Sequence, residues 1–588
     1  MSKFENIEKV EKFKEFLENT SLRQNIINWY DFKNSSNILF LGEDYNCIGT
    51  FLLKDERKIT LVEKDEIVFN KLKEKYGNYN NINLVNGNLI QLSKSDASKK
   101  FDYIVATTSM KRLGEFVDEV NKQKAFLKLL ELSKILLKDS GVLLIAVNNK
   151  YSIKFFSGAR YDDGNSFDII SGKQKAMNAY SRNEIIELIQ KSEFTQYKFY
   201  YPFPDFKLPS VIYSDEYLPN KNSSKLNYLL YYNPNDTILF NEIEVLKETI
   251  KDGNLPLFAN SYIIEISKDK RNFNKSKFIS FNNFRKKENK MITKMYDEYV
   301  IKENIFKEGK KHISNISNYI DILKKCGFYV IDKVENGKVY SKYQSLENLN
   351  DILCEYILEG KEELAYKIIK RWYKYINEKF SYLLKKNEDT VFEEYDLEIT
   401  DELKEKLNFL DYGFFDIIFE NIFVKIDKDC KFEKFLVYDQ EWCKRNLPIE
   451  FILYRALNNL FYYNPKISKV IDIERLYNKY GIYEYIEIFK KLEQKIQESL
   501  IDTEISSMYQ STYSALTTLE ALEDTIYYSN KETLDIREQY NSFIKKVEST
   551  NAKWQEESDK AYARISELES ELAPKNNIVN NIKNLFKK

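Results

Sequence analysis

Histidine is almost missing from this chain: among 588 residues there is one, His312. That argues against Ser-His-Asp, His-Cys and multi-histidine metal mechanisms, and leaves acid–base work to carboxylates, lysine or tyrosine. Cysteine is scarce too. Five residues (Cys47, Cys326, Cys354, Cys430 and Cys443) are scattered without a CxxC pair, so neither a disulfide framework nor a structural zinc site is expected. With 16 glycines and 9 prolines the chain lacks the punctuation of a sandwich or a fibre. It has no excess of one charge: 90 basic side chains face 91 acidic ones, which argues against a nucleic-acid partner. No apolar run reaches the roughly 18 residues a membrane span needs. The opening MSKFENIEKVEKFKEF is charged and amphipathic, unlike a signal peptide. A cytoplasmic location is expected.

What remains is a globular balance, 43% apolar and 31% charged. The length exceeds one hydrophobic core and predicts two or three domains plus an appendage. Residues 1–34 read as short helices leading into a first strand. From Asn37 to about Lys150, NILFLG, KITLVEKD, NINLVNG, FDYIVATT and GVLLIAVNN alternate with amphipathic stretches. Short β-rich bursts separated by helices predict a doubly wound α/β sheet, assigned to residues 35–270. Residues 271–500 follow as strands around one helix to about 345, then helices and one hairpin. Over 501–573, Tyr540, Ile544, Val547, Asn551, Trp554, Ser558, Ala561, Ile565, Leu568 and Leu572 keep a four-three spacing. That predicts a coiled coil and a homo-oligomer; a helix packing on its own domain is the alternative. Residues 574–588 form a basic amphipathic tail.

Gly42 stands where the first strand would give way to a helix, the place for a tight turn against a nucleotide. About 20 residues on, ITLVEKD ends in Glu63, placed to accept from ribose hydroxyls. Gly87-Asn88 follows the third strand, where an amide can meet adenine, and Thr107 closes the fourth, facing the reactive end of the ligand. Here the sequence resembles class I S-adenosylmethionine-dependent methyltransferases, over roughly residues 35–220. The resemblance implies S-adenosylmethionine as cofactor, with Gly42 at the glycine loop, Glu63 at the ribose and Asn88 at adenine. Asp44 and Asn46 depart from the usual glycines, and Phe40 replaces an acid.

Downstream, AVNNKYSIKFFSGARYDD, AYSRNEIIELIQ and YYPFPDFKLPSVIYSDEYLP look like a subgroup of these enzymes associated with bacterial surface polysaccharides. Asn148, Lys150, Arg160, Asp162 and Asp163 would be carried over the sheet edge. Arginine forks onto phosphate and carboxylates accept from sugar hydroxyls, so Arg160 and Asp162 are candidate catalytic residues. An anionic acceptor needs no base. A sugar hydroxyl does, and Asp162 would serve.

In the middle, GFFDIIFENIFVKIDKDCKFEKFLVYDQEW gives Asp416 and Asn421 the DxxxxN spacing of kinase catalytic loops. Strands Asn421 to Ile426 and Phe432 to Tyr438 would fold back and return Asp439 beside Asn421. Such chemistry needs an Asp for the hydroxyl, with an Asn and an Asp for magnesium. Upstream, Lys302 lies on a V-x-K strand, and Glu308 opens the next helix as its expected partner. The ensemble resembles the protein-kinase-like and aminoglycoside-phosphotransferase-like fold and implies ATP and Mg2+, with Asp416 catalytic, Lys302 and Glu308 on the nucleotide, and Asn421 and Asp439 on the metal. Phe414 stands where such loops carry histidine, and no glycine-rich loop precedes Lys302.

This order of modules is similar to the bifunctional chain terminators of polymannose O-antigens. That resemblance implies a glycan or lipid-linked saccharide substrate, a glycosyltransferase partner, and a tail resting on the inner face of the membrane. Ile578, Val579, Ile582, Leu585 and Phe586 share one helical face beside Lys583, Lys587 and Lys588. The rival expectation is a non-catalytic scaffold of degenerate domains.

Overall fold

The computed structural model describes Phe16 and residues 20–41, 56–95, 101–107, 110–159, 166–172, 179–192, 194–219, 239–385, 390–426, 432–503, 505–507 and 542–567. They fall into two compact units: one running from the N-terminus to Ser514 apart from 237–241, the other holding those five residues and 515–588. Gly42, Arg160, Asp162, the tail, and Tyr540, Leu568 and Leu572 of the heptad pattern lie outside the described residues.

The first half builds the expected sheet. β1 (Asn37–Leu41), β2 (Lys58–Glu63), β3 (Ile82–Asn86), β4 (Phe101–Ala106) and β5 (Leu137–Asn149) lie parallel in the order β3-β2-β1-β4-β5. β5 is buried without interruption from Gly141 to Asn149, as a central strand covered on both faces must be. The helix Lys122–Leu136 connects β4 to β5. Asn121 caps it by accepting from the Lys124 N–H, and it buries Phe126, Leu129 and Leu130. The strand order reverses between β1 and β4, which makes the carboxyl edge there the topological switch point. β6 (Ala179–Tyr180) pairs with the end of β5.

β7 (Gln196–Phe203) and β8 (Val211–Ser214) form an antiparallel pair, and β9 (Ser261–Ser267) slots antiparallel between β5 and β7. The sheet does not stop there. β10 (Phe278–Phe281) pairs with β8 through Ile279 opposite Ile212, and β11 (Met291–Met295) and β12 (Tyr299–Asn304) follow antiparallel. One sheet therefore crosses the domain boundary expected at 270, and one apolar core follows it, from Ile26 and Trp29 to Ile279, Phe281 and Ile292.

The helix Lys310–Lys325 leaves β12 and packs Ile313, Ile316 and Ile320 on Met291 and Val339. β13 (Tyr329–Val330), β14 (Asp332–Glu335) and β15 (Lys338–Lys342) come next, with β15 joining β12 and β14 at the sheet edge. Tyr343–Leu346 then lead into a second lobe. β16 (Glu347–Asn348) opens it, β17 (Phe409–Leu410) follows, and the expected hairpin is β18 (Ile422–Ile426) with β19 (Phe432–Val437). β20 (Leu447–Pro448) pairs with β17. The helices Leu349–Leu358, Glu362–Phe380, Ile449–Tyr463 and Ile486–Leu500 enclose the core around Trp372, Phe414 and Phe489. In the other unit, residues 542–567 are one helix on which Trp554, Tyr562 and Ile565 are exposed.

Candidate functional site

At the switch-point edge, Glu63 ends β2 with its carboxylate fully buried. Its Oε1 accepts from the N–H groups of Lys64 and Asp65, both at 2.8 Å, and pairs closely with Nη2 of Arg112. Arg112 comes from the helix Met110–Phe116 that follows β4. The Gly87 N–H donates to the Glu63 carbonyl at 2.9 Å, so the second and third strand ends meet as expected. Asn88 is buried. Its side-chain oxygen caps the next helix through the Gln91 N–H (2.9 Å), and its amide nitrogen donates to Asp118 (2.6 Å), which pairs in turn with Lys64 (2.6 Å). Thr107 is buried just past β4. Glu63, Gly87, Asn88 and Thr107 thus share one edge. Arg112 and Asp118 were not legible in the sequence.

Farther along that edge Asn148 is buried at the end of β5 and Lys150 lies 3.8 Å from Glu184. Burial pulls the neighbouring Lys122 ammonium down to about 8.

The second site is a cleft of about 1100 Å³ between the β10–β15 strands and the helical lobe. Lys302, Asn421 and Asp439 line it. The Lys302 ammonium pairs closely with Asp439 and lies 2.7 Å from Glu441. Burial works against that charge, but the two carboxylates outweigh it and raise the lysine above its usual range. Burial would likewise raise Glu441, yet Lys302 and His312 hold it well below. Asp439 sits in the left-handed region, φ 60°, which Asp tolerates better than most residues. Its N–H donates to Asp332 at 2.7 Å, and burial pushes the Asp332 carboxyl up to about 6.

Glu308 is a correction. It falls in the 3₁₀ turn Lys307–Gly309, one turn too early, and its carboxylate faces Lys287 at 2.8 Å instead of Lys302. The side chain that the helix presents inward is His312, 3.7 Å from Glu441 and with its ring 4.6 Å from that of Trp442, tilted by 31°. The other acid on Lys302 therefore comes from two residues beyond Asp439.

Asp416 is buried. Its carbonyl accepts from Asn421 Nδ2 and Gln440 Nε2, each at 2.9 Å, which ties the DxxxxN loop to the segment after β19. Its carboxylate faces Arg455 at 3.4 Å. Burial pushes that carboxyl up to about 7, against the pull of Arg455. Among the described residues no three histidine, cysteine or carboxylate side chains gather as a ready metal cage. Magnesium does not require one, because it binds through one or two side chains plus substrate phosphates. Asn421 and Asp439 both line the cleft.

No protein-family model matches the chain. No curated protein matches it either. Solved structures that it resembles include methyltransferases. A S-adenosylmethionine-dependent enzyme from Archaeoglobus fulgidus is 16% identical, covering 43% of this chain and 97% of its own, with a TM-score of 0.26. The TehB-like enzyme from Corynebacterium glutamicum is 11% identical over 45% of this chain and 98% of its own, TM-score 0.24. One from Aquifex aeolicus is 16% identical over 32% and 88%, TM-score 0.21. The strand order, rather than these overlaps, carries the fold.

Proposed function

We propose that residues 35–270 form a S-adenosylmethionine-dependent methyltransferase whose acceptor is a bacterial surface glycan or its phosphorylated end. The observation that carries the first part is Glu63: a buried carboxylate at the end of β2, beside the switch point of a parallel sheet. The donor set suits a nucleoside, with an acid for ribose hydroxyls, Asn88 for a base edge and Thr107 toward the reacting end. The cofactor, when bound, supplies an electrophilic methyl group on a sulfonium. The chain's part is to orient donor and acceptor in line. Arg112 neutralises Glu63 and must yield as a ribose enters. The glycan acceptor rests on the downstream segments with Arg160 and Asp162.

A second activity is favoured by the cleft: transfer of phosphoryl from ATP to a hydroxyl. Lys302 would hold phosphate oxygens, steered by Asp439 and Glu441. Asn421 and Asp439 would hold Mg2+, which when bound neutralises phosphate charge. Asp416 would accept the proton of the attacking hydroxyl; a carboxyl near 7 suits that task. The 542–567 helix would join copies of the chain, and the tail would rest on a membrane surface. No described helix is long and apolar enough to cross one.

The test is calorimetry on the full chain with S-adenosylmethionine and, separately, ATP–Mg2+. Saturable binding of the first, lost in Glu63→Gln, supports the methyltransferase. Absence of heat for both ligands would favour the scaffold.

A further inference from the structure

A row of side chains along the helix Ile486–Leu500 connects buried Asp416 to Arg285, which lines the cleft. Arg455 faces Asp416 at 3.4 Å and grips Glu493 at 2.6 Å. Gln497 donates to Glu493 at 2.9 Å, and its oxygen accepts from Nη1 of Arg285 at 3.2 Å. Arg285 belongs to the loop between β10 and β11, which lies across the cleft. The loop's backbone is pinned: the Lys286 N–H donates to the Leu500 carbonyl at 3.0 Å, and the Asp502 N–H donates to the Phe284 carbonyl at 2.8 Å.

The electrostatics of Arg285 differ from those of its neighbours. Lys302 and Arg455 each face two carboxylates. Arg285 lines the cleft half-buried, with a neutral amide as its hydrogen-bond partner and the Trp442 ring 5.2 Å from its guanidinium. Among the described residues no carboxylate comes within ion-pair distance of it; its charge reaches Asp416 only at longer range, adding to the pull of Arg455. A guanidinium supported by a ring and one amide keeps most of its donors for an anion, and its planar fork matches phosphate. It is also oriented by a fixed backbone rather than by a flexible tip, so little freedom is lost on binding.

We propose that Arg285 binds the terminal phosphoryl group of a nucleoside triphosphate in the cleft, doing with a side chain what a glycine-rich loop does with backbone N–H groups. The inference rests on the phosphoryl-transfer reading of the cleft and adds the residue that grips the transferred group. In that transfer the acceptor oxygen bonds to the terminal phosphorus and the bond to the bridging oxygen breaks. The nucleoside diphosphate leaves, and the hydroxyl proton passes to Asp416. Arg285 faces the charge spread over the remaining phosphoryl oxygens.

The test compares ATP–Mg2+ and ADP–Mg2+ binding to the full chain by calorimetry, for wild type, Arg285→Gln and Arg285→Lys. Loss of one charged hydrogen-bonding group should weaken ATP about 10- to 100-fold and leave ADP unchanged. Lysine should restore part of the loss. Because the loop is held by its backbone, a merely structural role would weaken both nucleotides alike. Equal losses for ATP and ADP, or none for either, would overturn the assignment of Arg285 alone. Failure of the wild type to bind either nucleotide would overturn the phosphoryl-transfer reading and Arg285 with it.

Discussion

Consider replacing Arg112 by glutamine. The wild-type pair joins a guanidinium 11% exposed to a carboxylate that is 0% exposed. Two effects of opposite sign follow. Removing one partner of a buried pair costs about 3–5 kcal/mol of stability. The N–H groups of Lys64 and Asp65 remain on Glu63 and keep the loss near the lower figure. A ribose, in contrast, no longer has to displace a charged hydrogen bond of about 1.5–3 kcal/mol, so S-adenosylmethionine should bind roughly 10- to 100-fold more tightly. Arg112→Gln is thus expected to melt earlier yet bind better, whereas Glu63→Gln loses binding. Thermal unfolding and calorimetry on the two variants separate these outcomes. If Arg112→Gln weakens binding as severely as Glu63→Gln, Arg112 holds the ligand instead of competing with it, and the reasoning is wrong.

In the cleft, Asp439→Asn should lower ATP–Mg2+ affinity about 10- to 100-fold while leaving S-adenosylmethionine binding intact; unchanged ATP–Mg2+ affinity would remove Asp439 from the metal site. Asp416→Asn should retain nucleotide binding but reduce phosphate incorporation about 10²- to 10⁴-fold, read with labelled ATP. Far from either site, fully buried Glu265 accepts from Tyr200 and the Asn274 N–H, and burial pushes it up to about 7 from 4.5. The folded chain therefore holds a proton that the unfolded chain releases. The contribution of Glu265 to stability should be fully present below pH 4.5, fall by about 3 kcal/mol as pH rises through 7, and level off above. Urea unfolding of wild type and Glu265→Gln across that range should differ by that slope; a difference independent of pH would refute it.

Where the sequence was legible, local pattern and structure agree. The apolar bursts NILFL and FDYIVA are β1 and β4, and the hairpin that returns Asp439 beside Asn421 is β18 with β19. The spacing of Asp416, Asn421 and Asp439 was readable because a short loop and a tight hairpin determine it. What escaped depends on non-local pairing. Nothing in residues 211–214 announces that they will pair with 278–281 and fuse two sheets into one. Glu308 was misplaced because a 3₁₀ turn precedes the helix and shifts its facing side to His312. Arg112, Arg285 and Arg455 act across distances in sequence that no spacing rule covers. The only histidine and the acid two residues past Asp439 were visible signals, and they turn out to face each other.

Glu63 is proposed to grip a nucleoside at the switch point. A crystal structure of the full chain with S-adenosylhomocysteine tests it most directly. Ribose hydroxyls should lie on the Glu63 carboxylate, with Arg112 displaced from it. An intact Glu63–Arg112 pair with the nucleoside bound elsewhere would contradict it.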